Sequence, residues 1–325
     1  MKQKMIGSLF CILLIVFFSA TYFVTKKKED STLTHIKIAE VTHSAFYTPL
    51  YVAIENGYFN EEGIDVELLL TPGADKVASA VLSGDVEIGF AGPESAIYIY
   101  KGGEEDYLVT FAGLTKKDGQ FIIGRENHFS WKDLEGKEVL VGRKGGMPAL
   151  NFLNALKNAQ VDISKVNLNY SIDFASLSGA FIANTGDYVN VFEPNATILE
   201  QEGYGYILAN IGNLSGEMPY TAFYTKKSFL NNNPQIIQKF RNAINKGIEY
   251  TSTHPSKELA SIILNQFPNT NVQDLENYIQ NYKENDSWLK NTFISEDIYK
   301  NLEDLMIEND LLDTYVPFAK LVQNE

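Results

Sequence analysis

The sequence has 325 residues, of which 45% are hydrophobic, 12% aromatic and 21% charged; this composition excludes a disordered chain or a low-complexity array. Its 27 Lys and Arg stand against 41 Asp and Glu, a formal net charge of −14, and this sign excludes a nucleic-acid-binding protein, because phosphate neutralisation needs clustered basic residues. At roughly 100–200 residues per domain, the length predicts two domains or two lobes of one unit.

Residues 1–34 predict the first element, a membrane anchor. Lys2 and Lys4 precede an uncharged run from Met5 to Val24, and three lysines follow it. About 20 apolar residues can span the ~30 Å hydrocarbon core of a bilayer, and Phe18 stands where a cleavage site needs a small residue. We therefore expect an uncleaved anchor, with the acidic part on the extracytoplasmic face of the cell membrane. Cleavage would instead give a secreted or periplasmic protein, and a lipoprotein would use Cys11.

The next part of the chain alternates strands with helices. The predicted strands are Ile36–Val41, Ile64–Leu70, Val86–Ala91 and Leu108–Leu114. The predicted helices are Thr48–Gly57, Asp75–Leu82 and Pro93–Tyr100. In the first of these helices, Thr48 is expected as the N-cap and Pro49 at the first helical position. This alternation predicts an α/β fold with a doubly wound sheet.

A second α/β set begins near Gly119 and ends in a helical tail. Its predicted strands are Gln120–Gly124, Glu138–Gly142, Asn167–Ile172, Tyr188–Phe192 and a return strand Thr221–Thr225. Its predicted helices are Met147–Asn158, Ala175–Asn184, Pro194–Gly203, Gln235–Thr251, Lys257–Asn265, Val272–Tyr282 and Glu296–Glu308. We expect residues 35–116 and 226–325 to form lobe 1 and residues 117–225 to form lobe 2. The hinge is expected at Leu114–Asp118 and Tyr220–Lys226.

Three sequence blocks carry a resemblance to a known family. They are Tyr47–Glu67 (YTPLYVAIENGYFNEEGIDVE), Leu82–Gly92 (LSGDVEIGFAG) and Asp133–Lys137 (DLEGK). In this order they resemble the ABC-importer substrate-binding proteins that take alkanesulfonates, taurine, nitrate-like anions and thiamine-pyrimidine precursors, over about residues 36–265. The resemblance implies a bilobal type II periplasmic-binding-protein fold with C-terminal helices, a small ligand held between hinged lobes, and permease and ATPase subunits as partners.

Candidate ligand-binding residues follow from the rule that ligands of open α/β sheets bind beyond the carboxyl ends of the strands. The segments at those ends supply aromatic rings, carboxylates and glycines at helix starts. The candidates are His43, Phe46, Tyr47, Gly92, Pro93, Glu94, Ser95, Gly145, Gly146, Met147, Phe174 and Glu193. Each has a structural alternative: the aromatic rings as core, the two carboxylates as partners of helix dipoles, and the glycines as a turn.

These residue types bear on the ligand. Glu94 and Glu193 with aromatic walls suit a flat heterocycle bearing N–H donors, and within the resembling family this favours an aminopyrimidine thiamine precursor. A flavin or another amine-bearing aromatic ring satisfies the same argument. An alkanesulfonate or taurine would use helix N-termini, Ser95 and Arg143 instead.

An enzyme is the competing class. The only cysteine is Cys11, and the four histidines occur singly, so we expect no catalytic residues, no metal and no cofactor. A pyrimidine-synthesising enzyme, which the resemblance gives as a relative, and a sensor without a transporter stay open as alternatives. We expect a monomer.

Overall fold

The computed structural model describes residues 33–324, and from His35 onward the chain is one compact unit. The predicted anchor and Cys11 lie outside the described residues. Within residues 33–324, none of the helices combines the length and the hydropathy that a membrane crossing requires.

Ten strands form two five-stranded sheets. They are β1 (Thr34–Glu40), β2 (Ile64–Leu70), β3 (Ile88–Ala91), β4 (Leu108–Thr115), β5 (Phe121–Gly124), β6 (Glu138–Leu140), β7 (Asn167–Asn169), β8 (Tyr188–Val191), β9 (Tyr206–Asn210) and β10 (Thr221–Lys226). The first sheet has the order β2-β1-β3-β10-β4 and the second β7-β6-β8-β5-β9. The predicted α/β class is confirmed.

Fourteen helices are described around the sheets. They are α1 (Thr48–Glu55), α2 (Tyr58–Glu61), α3 (Ala74–Ser83), α4 (Glu94–Lys101), α5 (Met147–Asn158), α6 (Leu177–Ile182), α7 (Asn195–Gln201), α8 (Gly212–Ser215), α9 (Lys227–Asn232), α10 (Pro234–Thr253), α11 (Ser256–Ile263), α12 (Val272–Glu284), α13 (Glu296–Glu308) and α14 (Phe318–Leu321).

The two sheets share one design. The fourth strand of each sheet, β10 in the first and β5 in the second, is antiparallel to both of its neighbours. In each sheet this is also the strand that the chain forms directly after it crosses from the other sheet. The two crossing segments run side by side, since the N–H of Met218 donates to the carbonyl of Lys116 at 2.9 Å. Parallel strands β1 and β3, and β6 and β8, bring their carboxyl ends to one edge of each sheet.

The position of β10 corrects one predicted boundary. Residues 221–226 form a strand inside the first sheet, so the return crossing lies before Thr221 and not within Tyr220–Lys226. The reason is that the strand after the crossing belongs to the sheet it enters. The rest of the lobe division stays a prediction, as does bending at the hinge.

Some local predictions also change. Thr48 does not cap α1; its hydroxyl donates to the carbonyl of Ala45 at 2.7 Å, while Pro49 does stand in the first turn. The helix predicted at Ala175–Asn184 is split into a 3-10 turn, Phe174–Ser176, and α6. Strand β9 and helices α2, α8, α9 and α14 lack a clear hydrophobic period and were not predicted.

The core of the first lobe is aromatic. Phe90 on β3 and Phe223 on β10 stack at 4.2 Å between ring centroids, and Phe223 and Phe111 both contact Phe240 on α10. These four rings are at most 1% exposed. Burying such rings stabilises each by roughly 1.5–3 kcal/mol relative to exposure. These contacts join β3, β10 and β4 of the first sheet to helix α10.

Candidate functional site

A cavity lies between the two sheets, where their strand ends meet. It encloses about 570 Å³ of space not occupied by atoms, part of it open to solvent. Most of its lining is apolar or aromatic, with a few polar groups, which is the composition of small-molecule sites. Its lining residues are Val41, Thr42, Tyr47, Gly73, Ala74, Gly92, Glu94, Arg143, Gly146, Met147, Pro148, Phe174, Phe192, Tyr220 and Thr221.

Three helices begin at the cavity. Gly73 and Ala74 open α3, Glu94 opens α4, and Gly146 and Met147 open α5. The first N–H groups of a helix have no partner within the helix, and the helix dipole makes this end positive. The first two helices belong to the first sheet and the third to the second. The cavity therefore has helix N-termini from both sheets in its lining.

One wall of the cavity is aromatic. Phe192 lies edge-on to Phe174 at 5.7 Å and to Tyr220 at 6.2 Å between ring centroids. Tyr47 packs edge-on against Phe90 at 4.4 Å, and its hydroxyl is 3.4 Å from the hydroxyl oxygen of Thr221. Such rings offer faces and edges on which a flat ligand can stack.

Glu94 brings a buried carboxyl group to this cavity. It is 0% exposed, and neither carboxylate oxygen has a hydrogen-bond partner among the described residues. The nearest cation is Arg143, whose Nη2 lies 3.7 Å from Oε1 of Glu94. Burial raises the pKa of Glu94 to about 7, against the lowering effect of Arg143 and of nearby backbone N–H groups. A buried carboxylate without a partner costs free energy, which a ligand that donates to it would recover.

Arg143 joins the two lobes beside the cavity. Its side chain is 43% exposed and also lies near Asp75, with Nε 3.8 Å from Oδ1. A second contact between the lobes is close by, where the hydroxyl of Tyr98 on α4 donates to the carbonyl of Gly145 at 2.9 Å. The loop before α5 is thus tied to the first lobe at two points.

Half of the predicted site residues line the cavity. The structure brings together Tyr47, Gly92, Glu94, Gly146, Met147 and Phe174. The other six do not line it: His43, Phe46, Pro93, Ser95, Gly145 and Glu193.

His43 belongs to a separate polar cluster. Its Nδ1 is 2.6 Å from Oε1 of Glu40, and its Nε2 is 2.8 Å from the carbonyl oxygen of Gln266. The hydroxyl of Tyr51 donates to the other oxygen of Glu40 at 3.0 Å. Burial lowers the pKa of His43, but the hydrogen bond and charge of Glu40 outweigh it and raise the pKa overall. The Glu40 carboxylate and the Gln266 carbonyl thus hold both ring nitrogens of His43 in a cluster outside the cavity.

Phe46 supports the aromatic wall from outside the cavity. It is 0% exposed and stacks on Phe192 at 5.3 Å between ring centroids. A Cβ on Gly119, in the first crossing segment, would lie 2.5 Å from its ring, so glycine is required there. Phe46 therefore fills the core between the cavity and the crossing, which is the structural alternative given for the aromatic candidates.

Three further candidates belong to the start of α4 and to the loop before α5. Pro93 is the buried N-cap residue of α4, and Ser95 is a buried residue in its first turn. Gly145 has a φ of +76°, which favours glycine, and its carbonyl accepts from Tyr98. These residues shape the elements that present Glu94 and Met147.

Glu193 caps a helix. Its Oε2 accepts from the N–H of Thr197 at 2.9 Å, its Oε1 accepts from the Thr197 hydroxyl at 2.9 Å, and Asn281 donates to Oε1 at 3.2 Å. Burial raises its pKa, against the hydrogen bonds that lower it. Since its oxygens are already satisfied by the protein, they are not available to a ligand in the way that those of Glu94 are.

We expect Glu193→Ala to destabilise the protein without weakening ligand binding. The substitution leaves the N–H and hydroxyl of Thr197 without their acceptor, so the free energy of unfolding falls by about 1–3 kcal/mol. Urea unfolding and ligand titration of the same sample separate the two effects. A loss of affinity larger than about tenfold, in a sample that is fully folded before the titration, would contradict this assignment.

Several lining residues were not among the sequence candidates. Gly73 and Ala74 follow β2, so the strand-end rule applied to that strand would have included them. Tyr220 and Thr221 stand at the start of an antiparallel strand, and the amino end of such a strand lies at the carboxyl edge of its parallel neighbours. The rule counts carboxyl ends only, and the antiparallel direction of β10 was not predicted.

No cluster of three or more His, Cys, Asp or Glu suited to a metal ion was found among residues 33–324. The groups that the cavity offers are a carboxylate, a guanidinium, hydroxyls and aromatic rings. These are groups for non-covalent recognition of a small molecule.

Comparison with known proteins agrees with non-covalent recognition of a small molecule. The chain matches a family described as NMT1/THI5 like over residues 45–258. It is 39% identical over 301 residues to YtlA of Bacillus subtilis (strain 168), which is named as a binding protein without a stated ligand; the match covers 92% of this chain and 90% of that protein. It is 21% identical over 265 residues to the formylaminopyrimidine-binding protein of Halalkalibacterium halodurans, covering 78% of each.

The fold is shared with solved structures of substrate-binding proteins. The alkanesulfonate-binding protein SsuA from Xanthomonas axonopodis pv. citri, bound to MOPS, superposes with a TM-score of 0.72 at 16% identity, over 90% of this chain and 99% of that one. The predicted periplasmic-binding-protein fold is therefore confirmed. Because the family match covers most of the chain and the Bacillus relative matches over nearly its whole length, this chain belongs to the NMT1/THI5-like family.

Proposed function

We propose that this chain is the extracytoplasmic solute-binding component of an ABC importer and that its ligand is an aminopyrimidine precursor of thiamine. The family and the fold support the solute-binding role, since the relatives named above are binding proteins. In this role the two lobes hold a small ligand between them and present it to permease and ATPase subunits. The predicted N-terminal anchor would keep the chain at the membrane, and a monomer is sufficient for the task.

The observation that carries the choice of ligand is the unpartnered carboxylate of Glu94. It is fully buried in a cavity walled by Tyr47, Phe174, Phe192 and Tyr220. A flat ring bearing amino groups can stack on the aromatic wall and donate N–H groups to this carboxylate, which is a charge-assisted hydrogen bond. The relative that binds formylaminopyrimidine supports the same class of ligand.

A second candidate has its own support. Helix N-termini and Arg143 are groups that bind sulfonates, and the structural neighbour from Xanthomonas is an alkanesulfonate-binding protein. An enzyme of pyrimidine synthesis is less well supported, because no Cys or His is among the lining residues described for the cavity. A sensor that works without a transporter would share the cavity and differ in its partners.

A melting panel tests the proposal. We expect the full-length chain, purified in detergent, to be stabilised by an aminopyrimidine more than by thiamine, flavins, taurine or alkanesulfonates. At about 100 times the Kd, a ligand that binds only the folded state stabilises it by about 2.7 kcal/mol. A shift with a sulfonate and none with any aminopyrimidine would overturn the choice of ligand. Co-purification with permease and ATPase subunits separates the importer role from a sensor.

A further inference from the structure

The carboxyl group of Glu94 lies beside groups that favour an anion, although burial raises its pKa. The starts of α4, at Glu94, and of α5, at Met147, both line the cavity. Arg143 adds a guanidinium 3.7 Å away. Helix N-termini and an arginine are groups that proteins use to hold a sulfonate, phosphate or carboxylate.

The side chain reaches this place by folding back over its own loop. An added Cβ on Gly92, two residues earlier, would lie only 2.0 Å from Oε2 of Glu94 and 2.4 Å from Cγ of Met147. The carboxylate therefore fills the space directly above Gly92, at the junction of the two helix starts. Its oxygens are both buried and lack a hydrogen-bond partner among the described residues. The space is thus already taken by a carboxyl group of the protein itself.

We propose that Glu94 acts as an internal anion, which occupies the position of a ligand's anionic group and selects neutral or amine-bearing rings against sulfonates and carboxylates. A ligand anion at this position meets both the volume and the charge of the glutamate. A ring with N–H donors meets an acceptor instead. This inference rests on the proposed function only in that the same cavity holds the ligand.

The exclusion of anions can be tested by vacating the position. In isothermal titration calorimetry of the full-length chain with taurine and ethanesulfonate, we expect Glu94→Ala to bind a sulfonate at least about tenfold more tightly than the wild type, because the space above Gly92 and the guanidinium of Arg143 are then open to the ligand. Glu94→Gln removes the charge but keeps the volume, so its gain is expected to be smaller. Glu193→Ala, which removes a buried carboxylate outside the cavity, is the matched control and is expected to show no gain.

One result would overturn the inference: a folded Glu94→Ala that binds a sulfonate no more tightly than the wild type does. Melting without ligand establishes that the variant is folded, and Glu94→Ser replaces it if it is not. The outcome is separate from the test of the proposed function. A wild type stabilised by an aminopyrimidine, with no sulfonate gain in the variant, removes the inference alone; a gain without aminopyrimidine binding removes the choice of ligand alone.

Discussion

Glu94→Gln is expected to weaken binding of the aminopyrimidine by about 10- to 100-fold and to abolish the proton release that accompanies it. The loss corresponds to one hydrogen bond to a charged group, about 1.5–3 kcal/mol. The proton comes from Glu94: its pKa of about 7 in the free protein means that about half of the molecules carry the proton at neutral pH. A ligand that donates N–H groups binds the ionised form, so binding releases about half a proton per site.

The affinity of the wild type for its ligand is expected to depend on pH through Glu94. Protonation of Glu94 competes with the ligand, so wild-type affinity rises by about tenfold between about pH 6 and about pH 8. The tyrosines near Glu94, among them Tyr98 with a pKa of about 12, stay neutral in this range because burial raises their pKa values. The carboxylate of Asp75 is a further charged group near Glu94, since its Oδ1 lies 3.8 Å from Nε of Arg143.

Calorimetry in buffers of different ionisation enthalpy measures the proton release directly. Glu193→Gln is the control, since it changes a second buried carboxylate whose pKa burial also raises, and it is expected to keep the release. Protons taken up or released by the ligand itself are common to all variants and cancel in the comparison. Equal proton release in wild type and Glu94→Gln would show that Glu94 does not contact the ligand.

Gly92→Ala is expected to abolish ligand binding, with a loss of more than about 100-fold, while the protein still folds. The backbone at Gly92 is not in the left-handed region, so alanine brings no conformational strain there, but its Cβ would lie 2.0 Å from Oε2 of Glu94 and 2.4 Å from Met147. The glutamate and the first residue of α5 must both move, and they define one end of the cavity. Overpacking of this kind costs about 1–3 kcal/mol of stability.

A suitable control is Gly179→Ala on α6. No atom lies within 4 Å of an added Cβ at Gly179, and alanine favours a helix over glycine by up to about 1 kcal/mol. We expect this variant to bind ligand as the wild type does and to melt at a slightly higher temperature. If Gly92→Ala retained affinity within about twofold, the described position of Glu94 would not be the one that ligand binding requires.

The course of the chain could be predicted in part from hydrophobic patterns and helix signals. Ile64–Leu70, Met147–Asn158 and Glu296–Glu308 have the predicted bounds, because each pairs a clear period with a clear start or stop. The neighbours of a strand within its sheet could not be predicted in this way. Thr221–Thr225 has the pattern of a strand, but its place between β3 and β4 depends on contacts with residues far away in sequence.

The candidate site shows the same limit at the level of side chains. Glu94 and Glu193 occupy equivalent places in sequence, each after a strand and at a helix start, and both were predicted to face the ligand. They differ in their neighbours: Thr197 and Asn281 satisfy Glu193, whereas Glu94 has Arg143 at 3.7 Å and no hydrogen bond from the described residues. Asn281 lies on helix α12, far from Glu193 in sequence, so no local sequence pattern predicts that contact.

The central position of β10 also sets the order in which the lobes can be completed. During synthesis β4 emerges before residues 116–220, yet the strand that joins it to β3 is β10. Until that strand is made, β3 ends in an open edge and β4 has no partner in its sheet, and contacts between distant segments form slowly. The second lobe can complete its sheet without a later segment of the chain, because its strands β5 to β9 are contiguous in sequence. The first sheet, whose first four strands are translated before the second lobe, therefore cannot be completed until β10, the last strand of the chain, has been made.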